Sequence, residues 1–198
     1  MLTAVGGVLL TGGQSRRMGT DKASLVVGGE PLAVRAARVL SAVCAPVVEV
    51  GDGISALPAV REVPSGGGPL AALVRGADAL ATSPVVLLAC DMPFVEPALI
   101  EFFADYEGDG TVIARADGRL QFGCARYGAD AIAAARAALA RGERSYVSTF
   151  EPEDGGDGGE VVIEVVEPDV WQQVAPPHVF ADVDTPEDLT RLGLEARR

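Results

Sequence analysis

Pro84-Val85-Val86-Leu87-Leu88-Ala89-Cys90-Asp91 decides the fold of this chain. Between Pro84 and Asp91 the residues are all apolar, with no polar residue at alternate positions, as expected of a strand buried on both faces. A strand covered on both sides belongs inside a sheet with helices above and below it. We therefore read Val85 to Cys90 as the central strand, with Asp91 at its carboxyl end.

Working outward, strand-like and helix-like segments alternate. Val8-Leu9-Leu10 is a short apolar run that stops at Thr11-Gly12-Gly13, and Pro46-Val47-Val48-Glu49-Val50 is β-branched and bounded by Pro46 and Gly51. Leu32 to Val43 reads as a helix. Leu70, Leu73, Val74, Ala77, Leu80 and Ala81 recur at helical spacing after the Pro64-to-Pro69 loop. Downstream of Asp91, a helix is expected over Pro97 to Tyr106, strands over Thr111 to Ala116 and Gln121 to Arg126, and an Ala-rich helix over Ala129 to Leu139. Glu151 to Glu160 is acidic and Gly-rich without an apolar pattern, so it reads as a mobile surface loop before a strand at Val161 to Val166. The alternation predicts a three-layer α/β/α domain on a mainly parallel sheet, spanning residues 1–198 as one unit.

Composition narrows the function. The 198 residues are 48% hydrophobic, which argues against disorder, and 16 Lys and Arg against 28 Asp and Glu leave a net charge of -12. That balance opposes nonspecific attraction to nucleic acid or anionic lipid. Cys44, Cys90 and Cys124 are too few and too scattered for a disulfide framework or a metal knuckle, and a single His178 disfavours a His-rich zinc site. Met1 to Leu10 has no positive flank and only a short apolar run, so neither a signal peptide nor a membrane span is expected. A cytoplasmic protein is the expectation.

The segment after the first strand carries the chemistry. In Leu10-Thr11-Gly12-Gly13-Gln14-Ser15-Arg16-Arg17-Met18-Gly19-Thr20-Asp21-Lys22, glycines admit close backbone approach, and Arg16, Arg17 and Lys22 gather positive charge in an acidic protein. These are features of a phosphate cradle. It is neither a Walker A loop, since Thr20 follows Gly19, nor a GxGxxG turn. Asp91 ends the central strand and so shares the carboxyl edge of the sheet with this loop, where such sheets bind ligands. A carboxylate there suits Mg²⁺ bridging to phosphate. Asp182 and Asp184 alternate along a short β segment and share one face, while Thr185-Pro186-Glu187-Asp188 reads as a helix start. Trp171 either covers the core or stacks on a ring.

Leu10 to Lys22 also resembles the LAGGxSxRMGxDK signature of the molybdenum cofactor guanylyltransferases, with Thr11 in place of the usual Ala. Gly68-Pro69-Leu70-Ala71 is similar to that family's GPLAG, Cys90-Asp91-Met92-Pro93-Phe94 to its CDxPF, Gly142-Glu143-Arg144 to its GER, and Val183-Asp184-Thr185-Pro186-Glu187-Asp188-Leu189 to its closing DTPEDL. The resemblance implies a Rossmann-like GT-A type nucleotidyltransferase fold. It further implies Mg²⁺-dependent transfer of GMP from GTP to the terminal phosphate of molybdopterin, releasing pyrophosphate, with possible cofactor-delivery or acceptor proteins as partners. Carried over residue by residue, Leu10, Thr11, Gly12 and Gly13 contact the nucleotide, and Lys22 and Arg17 act on its phosphates. Asp91 and Asp184 hold metal, and Arg144 and Asp182 lie towards the pterin.

The chain departs from the family at Ala72, where GPLAG ends in Gly, at Gly51-Asp52-Gly53, where many members place Asn against the guanine or ribose, and at Glu62-Val63, where many have Asp. Base recognition is thus open. The alternatives are a CTP-using or other-acceptor transferase, a non-catalytic GTP-binding homologue, and a structural α/β domain with no ligand shared by Lys22 and Asp91.

Overall fold

A computed structural model describes residues 5–12, 22–61, 67–150, 161–194 and 196–197. The proposed loop over 151–160, and with it Gly13, Arg16 and Arg17 of the phosphate cradle, lie outside the described residues.

In chain order the elements are β1 (Gly6–Leu10), a 3₁₀ turn (Lys22–Ser24), β2 (Val26–Val27), β3 (Glu30–Pro31), α1 (Leu32–Ser41), β4 (Val47–Val50), β5 (Ala59–Val60), α2 (Pro69–Leu80) and β6 (Val85–Ala89). There follow α3 (Pro97–Ala104), β7 (Thr111–Ala116), β8 (Arg119–Tyr127), α4 (Ala129–Ala140), α5 (Tyr146–Phe150), β9 (Ile163–Val166), α6 (Pro168–Trp171), α7 (Pro186–Arg191) and β10 (Ala196–Arg197).

The main sheet runs β5-β4-β1-β6-β8-β7-β9. β1 pairs in parallel with β4 and β6, β4 with β5 and β7 with β9, whereas β8 is antiparallel to both β6 and β7. This is the mainly parallel mixed sheet expected. Its layers follow from strand periodicity, because successive side chains point to opposite faces. Leu9, Val86 and Leu88 enter one core with residues of α1 and α3, and Val8, Val85 and Leu87 enter the other with residues of α2 and α4. β6 is central, with Val85, Val86 and Leu87 fully buried.

The third small cluster positions the site. Val27, Leu32, Val183 and Leu189 pack together, with Leu25, Leu192 and Leu194 against them. It joins the β2–β3 hairpin, the start of α1 and the segment leading into α7, so residues far apart in sequence meet beside the 3₁₀ turn.

Asp182 and Asp184 do not lie on a strand, contrary to expectation: residues 181–184 form no ladder. The segment is instead anchored by the Val183 amide, which donates to the Asp91 carbonyl at 2.9 Å, and by the fully buried Val183 side chain. Burial of the middle residue leaves both flanking carboxylates exposed, so the shared outward face survives without a sheet. Trp171 belongs to the core, with its indole N–H donating to the Arg115 carbonyl at 3.0 Å. Cys44, Cys90 and Cys124 are buried free thiols, and burial pushes the Cys44 thiol up to about 12. Among the described residues no helix is long and apolar enough to cross a membrane.

Candidate active site

The site lies at the carboxyl ends of β1 and β6. These strands stay in register to their ends, and the Cys90 amide extends the pairing by donating to the Leu10 carbonyl at 3.0 Å. Asp91 is thereby set beside Thr11, at the edge where parallel sheets present ligand sites. The loop carrying Asp91 is held from two sides. Arg35 of α1 donates from Nε to the Pro93 carbonyl at 2.7 Å and pairs with Glu96 at 2.5 Å, and Val183 holds the Asp91 carbonyl.

Lys22 opens the 3₁₀ turn, which closes through the Leu25 amide on the Lys22 carbonyl at 3.0 Å. Its ammonium donates to Asp91 Oδ2 at 3.4 Å and to Asp184 Oδ1. Two of the proposed metal ligands and the proposed phosphate lysine therefore meet at one point. Burial pulls the Lys22 ammonium down, but the hydrogen bond to Asp184 and the charge of Asp91 outweigh it, so its pKa is raised. Burial pushes the Asp91 carboxyl up; the Lys22 charge offsets part of this, and the charges of Asp182 and Asp184 add to it. Asp182 thus lies within electrostatic reach of the pair without bonding Lys22.

Asp184 owes its position to the start of α7. Thr185 caps the helix by accepting from the Asp188 amide at 3.3 Å, and Asp188 Oδ2 accepts from the Thr185 and Asp184 amides at 2.8 and 3.0 Å. This is a capping box. The Arg191 guanidinium, followed by the Thr185 and Asp184 donors, holds the Asp188 carboxyl well below the usual range.

Arg144 sits against the start of α2. It is exposed, and its backbone abuts Gly68, where an added Cβ would come within 3.1 Å of the Arg144 carbonyl oxygen. Tyr146 Oη donates to the Pro69 carbonyl at 2.8 Å. The GER-like and GPLA-like segments are thus in contact, but Arg144 is not among the groups bonded to Lys22. Ala72 is buried in α2.

Can the described residues hold Mg²⁺? Two carboxylates already converge on a single cationic centre, and Mg²⁺ is commonly held by one or two carboxylates together with substrate phosphates and water. The donor set fits. No cluster of three or more His, Cys, Asp or Glu forms a ready-made cage among the described residues.

Sequence reasoning missed Glu49 as a site element. It is fully buried in β4, yet its carboxylate reaches Thr11 Oγ1 at 2.6 Å. The available signal was a lone acid inside a β-branched strand next to the cradle strand. Thr11 itself has room because of Gly51: a Cβ there would lie 1.9 Å from the Thr11 hydroxyl. Thr11 and Gly51, both departures from the family pattern, are therefore complementary.

Residues 7–154 match the family described as the MobA-like NTP transferase domain. The chain belongs to this family. Like other MobA-like NTP transferases it is a nucleotidyltransferase by its domain. A relative from Pelotomaculum thermopropionicum, named "probable molybdenum cofactor guanylyltransferase", is 34% identical, with 99% of this chain and 95% of the relative covered. Another so named, from Chloroflexus aggregans, is 32% identical over 92% of this chain and 90% of its own length. Among solved structures, molybdopterin-guanine dinucleotide biosynthesis protein A from Archaeoglobus fulgidus superposes with a TM-score of 0.77 at 20% identity, covering 94% of this chain and 96% of that one. That likeness shows the shared fold.

Proposed function

We propose that this MobA-like transferase is a molybdenum cofactor guanylyltransferase, joining the terminal phosphate of molybdopterin to the α phosphate of GTP with release of pyrophosphate. The observation carrying the reading is the meeting of Lys22, Asp91 and Asp184 at the carboxyl edge of β1 and β6. The relatives named "probable molybdenum cofactor guanylyltransferase" support a guanylyl donor and a molybdenum cofactor acceptor.

In this reading Asp91 and Asp184 hold Mg²⁺, which when bound offsets charge on the triphosphate. Lys22 supplies a point charge to the phosphates, where negative charge grows as pyrophosphate leaves. Leu10, Thr11, Gly12 and Gly13 present backbone to the nucleotide, and Arg17 adds charge from the cradle. Asp182 and Arg144 face the acceptor side. No covalent nucleophile is needed; positioning and charge stabilisation do the work.

The test is Mg²⁺-dependent calorimetry with GTP, CTP and ATP, followed by transfer to molybdopterin. The expected result is a GTP preference that is lost in Lys22→Ala, with the Mg²⁺ dependence lost in Asp91→Ala. A CTP preference overturns the product assignment; nucleotide binding without turnover overturns the enzymatic one.

A further inference from the structure

β4 and β5 are parallel neighbours, yet only residues 51–58 connect them. Parallel strands ordinarily need a crossover of about a dozen residues or more, usually containing a helix whose ladder satisfies the backbone. This connection has no helix. Its amides instead converge on one carboxylate: Glu49 accepts from the backbone N–H of Gly53, Ile54 and Ser55 at 2.8, 3.0 and 2.8 Å, and from the Ser55 hydroxyl.

A lone buried carboxylate is costly unless richly hydrogen-bonded. Here the donors win. Burial pushes the Glu49 carboxyl up, but the bonds from Ser55, Thr11 and the amides outweigh it, and its pKa is lowered. The fifth donor, Thr11 Oγ1, comes from the other side, from the first residue after β1. One charge therefore ties the start of the cradle to the loop after the neighbouring strand.

This tie lies on the side of β1 away from Lys22 and Asp91. Lys22 and Asp91 lie on the β6 side of β1, and β4 lies on the other. A ligand with its phosphates at Lys22 and Asp91 that extends across the carboxyl end of β1 brings its nucleoside to the loop after β4, where Asp52 and Gly53 are exposed. We infer that Glu49 is a positioning residue for the nucleoside half of the nucleotide: it fixes the 51–55 loop against Thr11 and so sets affinity for base and ribose without touching them. This rests on the nucleotidyltransferase reading of the site.

The test compares GTP with inorganic tripolyphosphate, each with Mg²⁺, by calorimetry on the full chain and on Glu49→Gln. Replacing one acceptor oxygen by an NH₂ group sets donor against donor within the loop. GTP affinity is expected to fall tenfold or more while tripolyphosphate affinity stays within twofold. A role in stability alone lowers the melting temperature without separating the two ligands. If Glu49→Gln does not fold, Ser55→Ala, which removes the hydroxyl that donates to Glu49 and accepts from the Leu57 amide, is expected to show the same separation at about threefold. Equal losses for both ligands, or none, overturn the inference. Failure of the unmutated chain to bind either ligand overturns the parent reading instead.

Discussion

Lys22 and Asp184, 162 positions apart in sequence, form a direct ion pair, and the same ammonium reaches Asp91. Lys22 thus occupies the point at which the two carboxylates converge. Under the proposed function, a divalent cation held by these carboxylates would compete with the Lys22 ammonium for them.

Lys22→Met should therefore act in opposite directions on two measurements. Transfer to molybdopterin falls roughly 10²–10³-fold in kcat/KM, the scale for losing one preorganised partner of a developing charge. Mn²⁺ affinity in the absence of nucleotide rises, as read by electron paramagnetic resonance, because two carboxylates no longer have a resident cation. Unchanged or weakened Mn²⁺ binding would show that Lys22 and the metal do not share a place.

Gly51→Ala should fail on its own and improve in company. Its Cβ overlaps the Thr11 hydroxyl, and overpacking of this kind costs about 1–3 kcal/mol. Thr11→Ala removes the obstacle, so the double variant should be more stable to urea than Gly51→Ala alone, though below the parent because Glu49 has lost a donor. Additive losses would refute the coupling.

Gly76→Ala sets helix propensity against packing. Alanine favours a helix interior by about 1 kcal/mol over glycine, yet a Cβ on α2 at this position would lie 2.3 Å from Val8 Cγ1 on β1. Packing should win. Urea unfolding should show a net loss of roughly 1–2 kcal/mol, relieved by Val8→Ala.

Glu49 gives a pH signature. Its folded pKa is depressed, so its contribution is present above the unfolded carboxylate value of about 4.3 and is lost as pH falls through the lower folded value. Glu49→Gln should accordingly be less stable than the parent at pH 7, by about 2–3 kcal/mol for hydrogen bonds to a buried charge. The gap should close as both proteins are taken well below pH 4 in thermal scans. A constant gap would mean that the amide's shape, not the lost charge, is responsible.

Much of this architecture was legible in the sequence because it is periodic. The apolar run ending at Asp91 became β6, and the helical spacing from Leu70 became α2, with bounds that moved by a residue or two. The helix expected to reach Tyr106 stops at Ala104, where Asp105 caps it. Elements held by tertiary contact were not legible. β2, β3 and β10 are two residues each, too short for any period. Asp182 and Asp184 resemble strand residues because Val183 between them is buried, and burial alone does not say whether a neighbour pairs with the backbone. Glu49 was hidden for a related reason. A polar residue in a strand reads as facing solvent, and only the convergence of distant donors shows that it faces inward.

The charged trio also has an order in time. The last strand of the main sheet, β9, ends at Val166, and Asp184 follows it. Domains fold as units while the N-terminal part emerges first during synthesis. A nascent chain that has made its main sheet and the core residues Trp171, Val179 and Phe180 can therefore still lack Asp184, leaving Asp91 as the partner of Lys22. A stop just before Asp184 would keep β9 and the core residues Trp171, Val179 and Phe180 while removing one of the two carboxylates that Lys22 pairs with. In chain order, the charge balance of the trio is therefore settled only after the last strand of the main sheet.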